Sequence, residues 1–237
     1  MKIALIGYGK MGRAIEEIAV KKGHEVSLVI DLDNAKDLTK ENLQKADVAI
    51  EFTTPETAVV NILKCFDAGT PVVSGTTGWL HKMDEVKDTC LKKDGSFVYS
   101  SNFSIGVNIF FELNKRLAEL MSKQDYEVII EETHHTQKKD APSGTAITIA
   151  EGILKELSNK KQWVNHKSDR TEDLSIISHR IDPAAGTHCI KYSSEVDDID
   201  IIHTAHNRKG FASGAVLAAE FIKDKKGPFS MKDVLGI

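Results

Sequence analysis

Only three cysteines occur in 237 residues, Cys65, Cys90 and Cys189, and none forms a C-x-x-C pair. That scatter excludes a disulfide framework and a thiolate metal clip, and it fits a reducing cytoplasm. No apolar run approaches the roughly 18 to 20 residues a membrane span needs, and the start Met-Lys-Ile-Ala-Leu-Ile-Gly has neither the longer apolar run nor the cleavage site of an export signal. A cytoplasmic protein without membrane contact is expected. Neither sign of charge prevails: 31 Lys and Arg stand against 35 Asp and Glu, a formal net charge of −4. Nothing therefore draws the surface as a whole to a phosphate backbone, and no nucleic-acid partner is expected. Proline is scarce at five and glycine stands at sixteen, far from disordered or collagen-like compositions, and no repeat period is visible. What is present is a globular composition, 41% hydrophobic and 28% charged, with length for one enlarged or two modest domains.

Up to about residue 103, short apolar runs alternate with helical stretches, the pattern of a parallel sheet covered by helices. Ile3 to Ile6, Val26 to Ile30, Val48 to Phe52, Val72 to Val73 and Phe97 to Tyr99 read as strands, each too short for a helix. Residues 10 to 22 place Met11, Ala14, Ile15, Ile18 and Ala19 at helical spacing, Pro55 suits a first helical turn, and residues 80 to 93 form a more polar helix. After Phe103 the pattern changes. A helix near 107 to 122 and a strand from Tyr126 precede another helix, and then runs at 174 to 181, 187 to 193 and 199 to 205 follow without intervening helices. Their turns are short and polar, which predicts an antiparallel or mixed sheet able to expose a face. The polar stretch 158 to 172 reads as a long surface loop, and the apolar tail from Phe211 as a helix needing a core to cover. The predicted fold class is α/β, a Rossmann-type parallel-sheet domain followed by an α+β domain with a mixed sheet.

The segment Gly7-Tyr8-Gly9-Lys10-Met11-Gly12 is a complete G-x-G-x-x-G between a predicted strand and a predicted helix, the context that gives this pattern meaning. Gly7 permits the tight turn, Gly9 lets the backbone approach a pyrophosphate, and Gly12 allows helix and strand to pack closely, with the helix N-terminus facing the anion. Asp31 ends the second strand, where a carboxylate accepts the adenosine ribose hydroxyls. Leu32 stands where an arginine would hold a 2′-phosphate, with Lys10, Arg13 and Lys36 near enough in sequence to reach; NADH or NADPH is the expected cofactor. Gly75-Thr76-Thr77 and Ser100-Ser101-Asn102-Phe103 follow predicted strand ends and suit nicotinamide and ribose contacts.

The densest chemistry lies between residues 132 and 146, where His134, His135, Lys138 and Asp140 precede Pro142-Ser143-Gly144-Thr145. Ser143 is a good N-cap, so the amides near Gly144 and Thr145 open the positive end of a helix dipole and seat a carboxylate or phosphate. Lys138 and a protonated histidine add positive charge, and an imidazole also moves protons near neutrality. A metal is not expected, since no third ligand follows at diagnostic spacing. His188, His203 and His206 read as structural, with the last two at the edge of a pocket, and His24, His81 and His166 as solvent-exposed.

These motifs, with Asn102-Phe103-Ser104-x-Gly106-Val107, the segment from His134 to Ala146, and Phe211-Ala212-x-Gly214-Ala215, resemble the 4-hydroxy-tetrahydrodipicolinate reductase (dihydrodipicolinate reductase) family over nearly the whole chain. The resemblance implies a Rossmann domain of residues 1–103 completed by 212–237, a substrate and tetramerisation domain of 104–211, and a homotetramer. It implies NAD(P)H-dependent reduction of 4-hydroxy-tetrahydrodipicolinate, a small dicarboxylate, to tetrahydrodipicolinate in diaminopimelate and lysine biosynthesis. By similarity His134 donates or accepts a proton and Lys138 donates one, while His135, Gly144 and Thr145 grip the substrate carboxylates. Departures stand at Asp182-Pro183, where the family usually has a glycine after the arginine, at Ser194-Glu195 and at His206-Asn207-Arg208. The alternatives are another NAD(P)-dependent dehydrogenase of a small anionic, amino-acid-like substrate and a non-catalytic nicotinamide sensor.

Overall fold

A computed structural model describes every residue except Arg208, which closes the His206-Asn207-Arg208 triplet and so lies outside the described residues. In chain order the elements are β1 (Lys2–Ile6), α1 (Lys10–Lys21), β2 (Glu25–Ile30), α2 (Lys40–Leu43), β3 (Val48–Glu51), α3 (Pro55–Ala68), β4 (Val72–Ser74), α4 (Met83–Lys92) and β5 (Ser96–Tyr99). There follow α5 (Ile105–Met121), β6 (Glu127–His134), α6 (Gly144–Glu156), β7 (Gln162–Val164), β8 (Asp173–Arg180), β9 (Gly186–Ser193) and β10 (Asp198–Ala205), then α7 (Lys209–Ile222), β11 (Gly227–Phe229) and α8 (Met231–Leu235). The chain divides into two compact units. One holds Met1–Ile105 and the stretch after Arg208 through Ile237; the other holds Gly106–Asn207. Among the described residues no helix is long and apolar enough to cross a membrane.

In the first unit six strands lie in the order β11-β5-β4-β3-β1-β2, every pairing parallel. Such a sheet is covered on both faces, so its strands are apolar throughout. Along β1, Ala4 and Ile6 enter the core shared with α3 and α4, and Ile3 and Leu5 that shared with α1 and α7, the two-residue period of a strand. The neighbours of β1 are β2 on one side and β3 on the other, which makes the carboxyl end of β1 the crevice where open α/β sheets take ligands. Helix α3 starts as its sequence dictates, with Pro55 in the first turn behind the Thr54–Thr57 capping box, and stops at Gly69 in the left-handed region with φ 73°.

In the second unit the order is β10-β9-β6-β8-β7, with β9 antiparallel to both neighbours and β6, β8 and β7 mutually parallel. This is the mixed sheet expected. The register across β9, β6 and β8 stacks side chains in rows: Ile190, Ile130 and Ile176 form one, and His188, Glu132 and Ser178 the next. Helices α5 and α6 cover the apolar rows with Phe110, Ala118, Ile149 and Ile153. Burying a side chain such as Ile130 stabilises by about 1.5–3 kcal/mol. The polar row at the strand ends is where this core becomes a site.

Two short strands were not foreseen. The stretch 158–172 contains β7, which has no alternation of its own and exists as an edge strand on β8, with Trp163 packed against the core. Strand β11 includes Pro228 and pairs only with β5, an edge position where a missing N–H is tolerated. His24, expected in solvent, is largely buried instead, its side chain 15% exposed and its Nε2 2.7 Å from Glu220 of α7.

Candidate active site

Three strand ends build a cavity in the first unit. Gly7, Tyr8 and Gly9 after β1, Asp31 and Leu32 after β2, and Phe52 to Thr54 after β3 line a space of about 460 Å³. A second space of about 430 Å³ shares Gly9, Phe52 and Thr53 and adds Lys10, Met11, Gly75, Thr76 and Thr77. Gly9 borders both, and nothing lies within 4 Å of where its Cβ would stand, so a phosphate can reach its backbone. Gly7 has φ +93°, and a Cβ there would meet the Phe52 carbonyl at 2.0 Å; one on Gly12 would meet the Gly7 carbonyl at 2.3 Å. Gly9 is also the N-cap of α1 and offers no side chain to its first turn, whose amides face the loop. Residues and space fit a dinucleotide.

Asp31 caps the short turn after β2, its Oδ1 accepting from Leu32 N at 2.9 Å, while its own amide donates to Asn34 Oδ1 at 2.7 Å. Leu32 is 88% exposed. Arg13 lies over the Tyr8 ring, 5.3 Å from its centroid, and Tyr8 donates to Glu16. Ser100 to Phe103 borders neither cavity. Ser100 Oγ donates to the Asn102 carbonyl at 2.6 Å, and Phe103 is buried against the Phe52 ring, 5.8 Å away.

One organising residue here was missed in the sequence. Glu51 at the end of β3 is fully buried and accepts from Thr53 N at 3.0 Å, from Thr76 Oγ1 at 2.7 Å and from the Thr53 and Ser74 hydroxyls. It ties the loop after β4 to the end of β3. The available signal was a carboxylate inside an otherwise apolar strand.

In the second unit the site grows from the end of β6. Along that strand Val128, Ile130, Glu132 and His134 are buried while Glu127 and Glu131 are exposed, so a carboxylate and an imidazole continue the inward-facing row. Glu132 accepts from Ser143 N at 3.1 Å, from Ser178 Oγ at 2.8 Å and from Arg180 Nη2 at 3.2 Å. Burial pushes its carboxyl pKa up, but His188, Ser143 and Ser178 outweigh that and hold it far below the carboxylate range. His134 is pushed down to about 4, first by burial and then by His188, with Lys138 and Arg180 adding to it and Glu132 opposing. Burial thus disfavours the charged form of His134 in the free protein.

Ser143 caps α6 as expected, its Oγ accepting from Ala146 N at 3.2 Å and lying 3.2 Å from His188 Nε2. Gly144 opens the helix into space, with nothing within 4 Å of a Cβ placed there. Lys138 pairs with Asp140 at 2.9 Å, whose carboxyl, although burial raises it, is held low by that ammonium. The departing residue Asp182 fastens the loop that holds His135: it accepts from Thr136 N at 3.2 Å and from the Thr136 hydroxyl. Gly186 leaves room for the imidazole, since a Cβ there would stand 3.1 Å from His134 Nε2.

His134, His135, Lys138 and Gly144 thus gather around one strand end and one helix start, with Thr145 in that helix's first turn. Sequence reading missed Glu132, Arg180 and Gly186 and took His188 as merely structural. Glu132, His134 and His188 also have ligand atoms within 4.8 Å of one another. The guanidinium and two further donors already on that carboxylate make the group a hydrogen-bonded cluster, since a cation there would face Arg180. His203 lies against the Phe110 ring at 5.9 Å.

Residues 1–103 match the family model for the N-terminus of dihydrodipicolinate reductase, and residues 106–235 that for its C-terminus. A curated 4-hydroxy-tetrahydrodipicolinate reductase of Christiangramia forsetii is 50% identical over 236 residues, covering 99% of this chain and 98% of its own. One from Methanosarcina acetivorans is 36% identical over 240 residues, covering 99% and 89%. The solved dipicolinate-bound dihydrodipicolinate reductase from Paenisporosarcina sp. shares the fold at TM-score 0.78 and 24% identity, with 97% of each chain covered. A probable dehydrogenase from Thermotoga maritima shares it at 0.62 and 11%, covering 99% of this chain and 92% of its own.

Proposed function

The chain belongs to the dihydrodipicolinate reductase family, and from that premise we propose which of its residues carry the reaction. The activity is NAD(P)H-dependent reduction of 4-hydroxy-tetrahydrodipicolinate to tetrahydrodipicolinate, with loss of water, in diaminopimelate and lysine biosynthesis. The alternatives of another dehydrogenase and of a non-catalytic sensor give way to it.

The loop Gly7 to Gly12 would hold the pyrophosphate of NADH or NADPH at Gly9, Asp31 would hold the adenosine ribose, and Gly75, Thr76 and Thr77 would receive the nicotinamide half. When bound it supplies a hydride to the conjugated cyclic imine left by loss of water, and the remaining electron pair needs a proton. Lys138 donates that proton. In the loss of water that precedes reduction, His134 takes the ring proton next to the imine carbon, the negative charge of the bound dicarboxylate favouring its charged form, and returns that proton to the departing hydroxide as water. One carboxylate sits on the Gly144 and Thr145 end of α6, with His135 beside it. Residues 1–103 with 212–237 serve the cofactor, and 104–211 serve substrate and assembly. The assembly is a cytoplasmic homotetramer built through the β6 to β10 sheet, whose outward face carries Glu131 and Cys189 and an Ile202 that is 61% exposed.

The observation that supports this best is that one buried carboxylate, Glu132, stands 3.4 Å from His134 and accepts from the amide of Ser143, the cap of a helix that opens into space at Gly144. The test follows nicotinamide absorbance while a synthase supplies substrate. His134→Gln and Lys138→Ala each lower kcat by about 10²- to 10⁴-fold and leave NADH binding, read by fluorescence, unchanged. Full turnover in either variant removes that residue from the chemistry.

A further inference from the structure

Glu132 does more than fill a hole in the core. Its carboxylate lies where the rows of the sheet change from apolar to polar, and it is fully buried. A buried carboxylate is tolerated only when its lone pairs are met. Here donors reach them from two directions, the backbone of α6 through Ser143 N and β8 through Ser178 and Arg180, while in a third direction His188 Nε2 of β9 lies 3.7 Å away. The fourth direction is its own strand. His134 Nδ1 stands 3.4 Å from Glu132 Oε2, is buried, and has no hydrogen-bond partner among the described residues.

We propose that Glu132 is the positioning residue of the reacting imidazole: its carboxylate holds His134 as the tautomer with hydrogen on Nδ1, leaving the Nε2 lone pair for the substrate. The inference rests on the role given to His134 above. An ionised carboxylate accepts and never donates, so the ring nitrogen facing it must bring the hydrogen. Nε2 then becomes the proton-accepting atom, and Gly186, where a Cβ would stand 3.1 Å from it, leaves it uncrowded. At 3.4 Å the contact is long for a hydrogen bond, as catalytic contacts often are before substrate draws them together.

The charged and titratable groups around the ring are Glu132 on β6, His188 on β9, Arg180 on β8, and Lys138 with Asp140 on the following loop. Glu132 is the one among them placed at Nδ1. The same carboxylate binds Ser143 N, so one residue sets both the tautomer of the imidazole and the start of the anion-binding helix.

The experiment is ring-nitrogen NMR of the full-length protein labelled with ¹⁵N-histidine, with the His134 signals identified by their loss in His134→Gln. The wild-type spectrum is expected to show the Nδ1–H tautomer near pH 7. In Glu132→Gln, whose amide both donates and accepts, a mixture of tautomers replaces it, His134 titrates at lower pH, and kcat falls at least tenfold while KM for NADH stays unchanged. Glu132→Asp, which keeps the charge, restores part of kcat and the single tautomer. An Nε2–H tautomer in the wild type overturns the proposal without any variant having to fold. So does a Glu132→Gln protein that melts lower but keeps the wild-type tautomer and pH profile, since its role is then structural only. If the tautomer is Nδ1–H but His134→Gln turns over normally, the tautomer assignment stands and the catalytic role of His134 fails.

Discussion

Acid should weaken this protein through His134 in a measurable way. Burial, then the neighbouring His188, pushes the His134 pKa down to about 4, against about 6.5 in an unfolded chain. With the folded value the lower one, the unfolded chain binds the extra proton first as pH falls. Stability is therefore complete above about pH 6.5 and drains away as pH drops toward about 4. Between pH 7 and pH 5 the loss from this one side chain comes to about 2 kcal/mol. The side chain is only 10% exposed, so solvent screening takes little from that figure. The perturbation is His134→Gln, which is neutral throughout, and the assay is urea unfolding at pH 7 and pH 5 followed by fluorescence, with Trp163 reporting on the unit that holds His134. The wild type should lose about 2 kcal/mol more than the variant over that interval. His203, whose pKa burial also lowers, is present in both proteins and cancels. Equal losses would refute the reasoning, since His134 would then not be buried as a neutral ring.

Two further outcomes concern the cofactor. Leu32→Arg, made with Asp31→Ser, places a guanidinium at the end of β2 where the exposed leucine now stands; steady-state kinetics should show NADPH gaining on NADH by about tenfold or more, and an unchanged ratio would move the adenosine ribose away from this turn. Gly12→Ala forces a Cβ to 2.3 Å from the Gly7 carbonyl, which is backbone and cannot swing aside; thermal unfolding should register a loss of about 1–3 kcal/mol together with a raised KM for NADH.

Much of this was legible because it is local. The fingerprint Gly7 to Gly12, the strand before it and the helix after it lie within one short stretch, so period and turn chemistry suffice to place them. Ser143 as a cap is equally local. The acceptor that organises the second site is not. Glu132 meets Ser178 and Arg180 from 46 and 48 residues away, and only the pairing of β6 with β8 and β9 reveals that a glutamate beside two apolar inward positions has partners. Glu51 is the same case in the first unit, its donors Ser74 and Thr76 arriving on the next strand and the loop that follows it. The lowered pKa of His134 was hidden for a related reason: sequence gives the proximity of Lys138 but not burial, and burial is the larger influence. Strands β7 and β11 went unseen because they are edge additions to partners that the rest of the fold supplies.

If the start of α6 and the end of β6 form one dicarboxylate site, a crystal structure of this protein with NADH and dipicolinate will show it. A ligand carboxylate is expected on the Gly144 and Thr145 amides, with His134 Nε2 and the Lys138 ammonium turned to the ring. Dipicolinate bound elsewhere, with water alone at Gly144 and no ligand atom within hydrogen-bond reach of His134 or Lys138, would rule that site out.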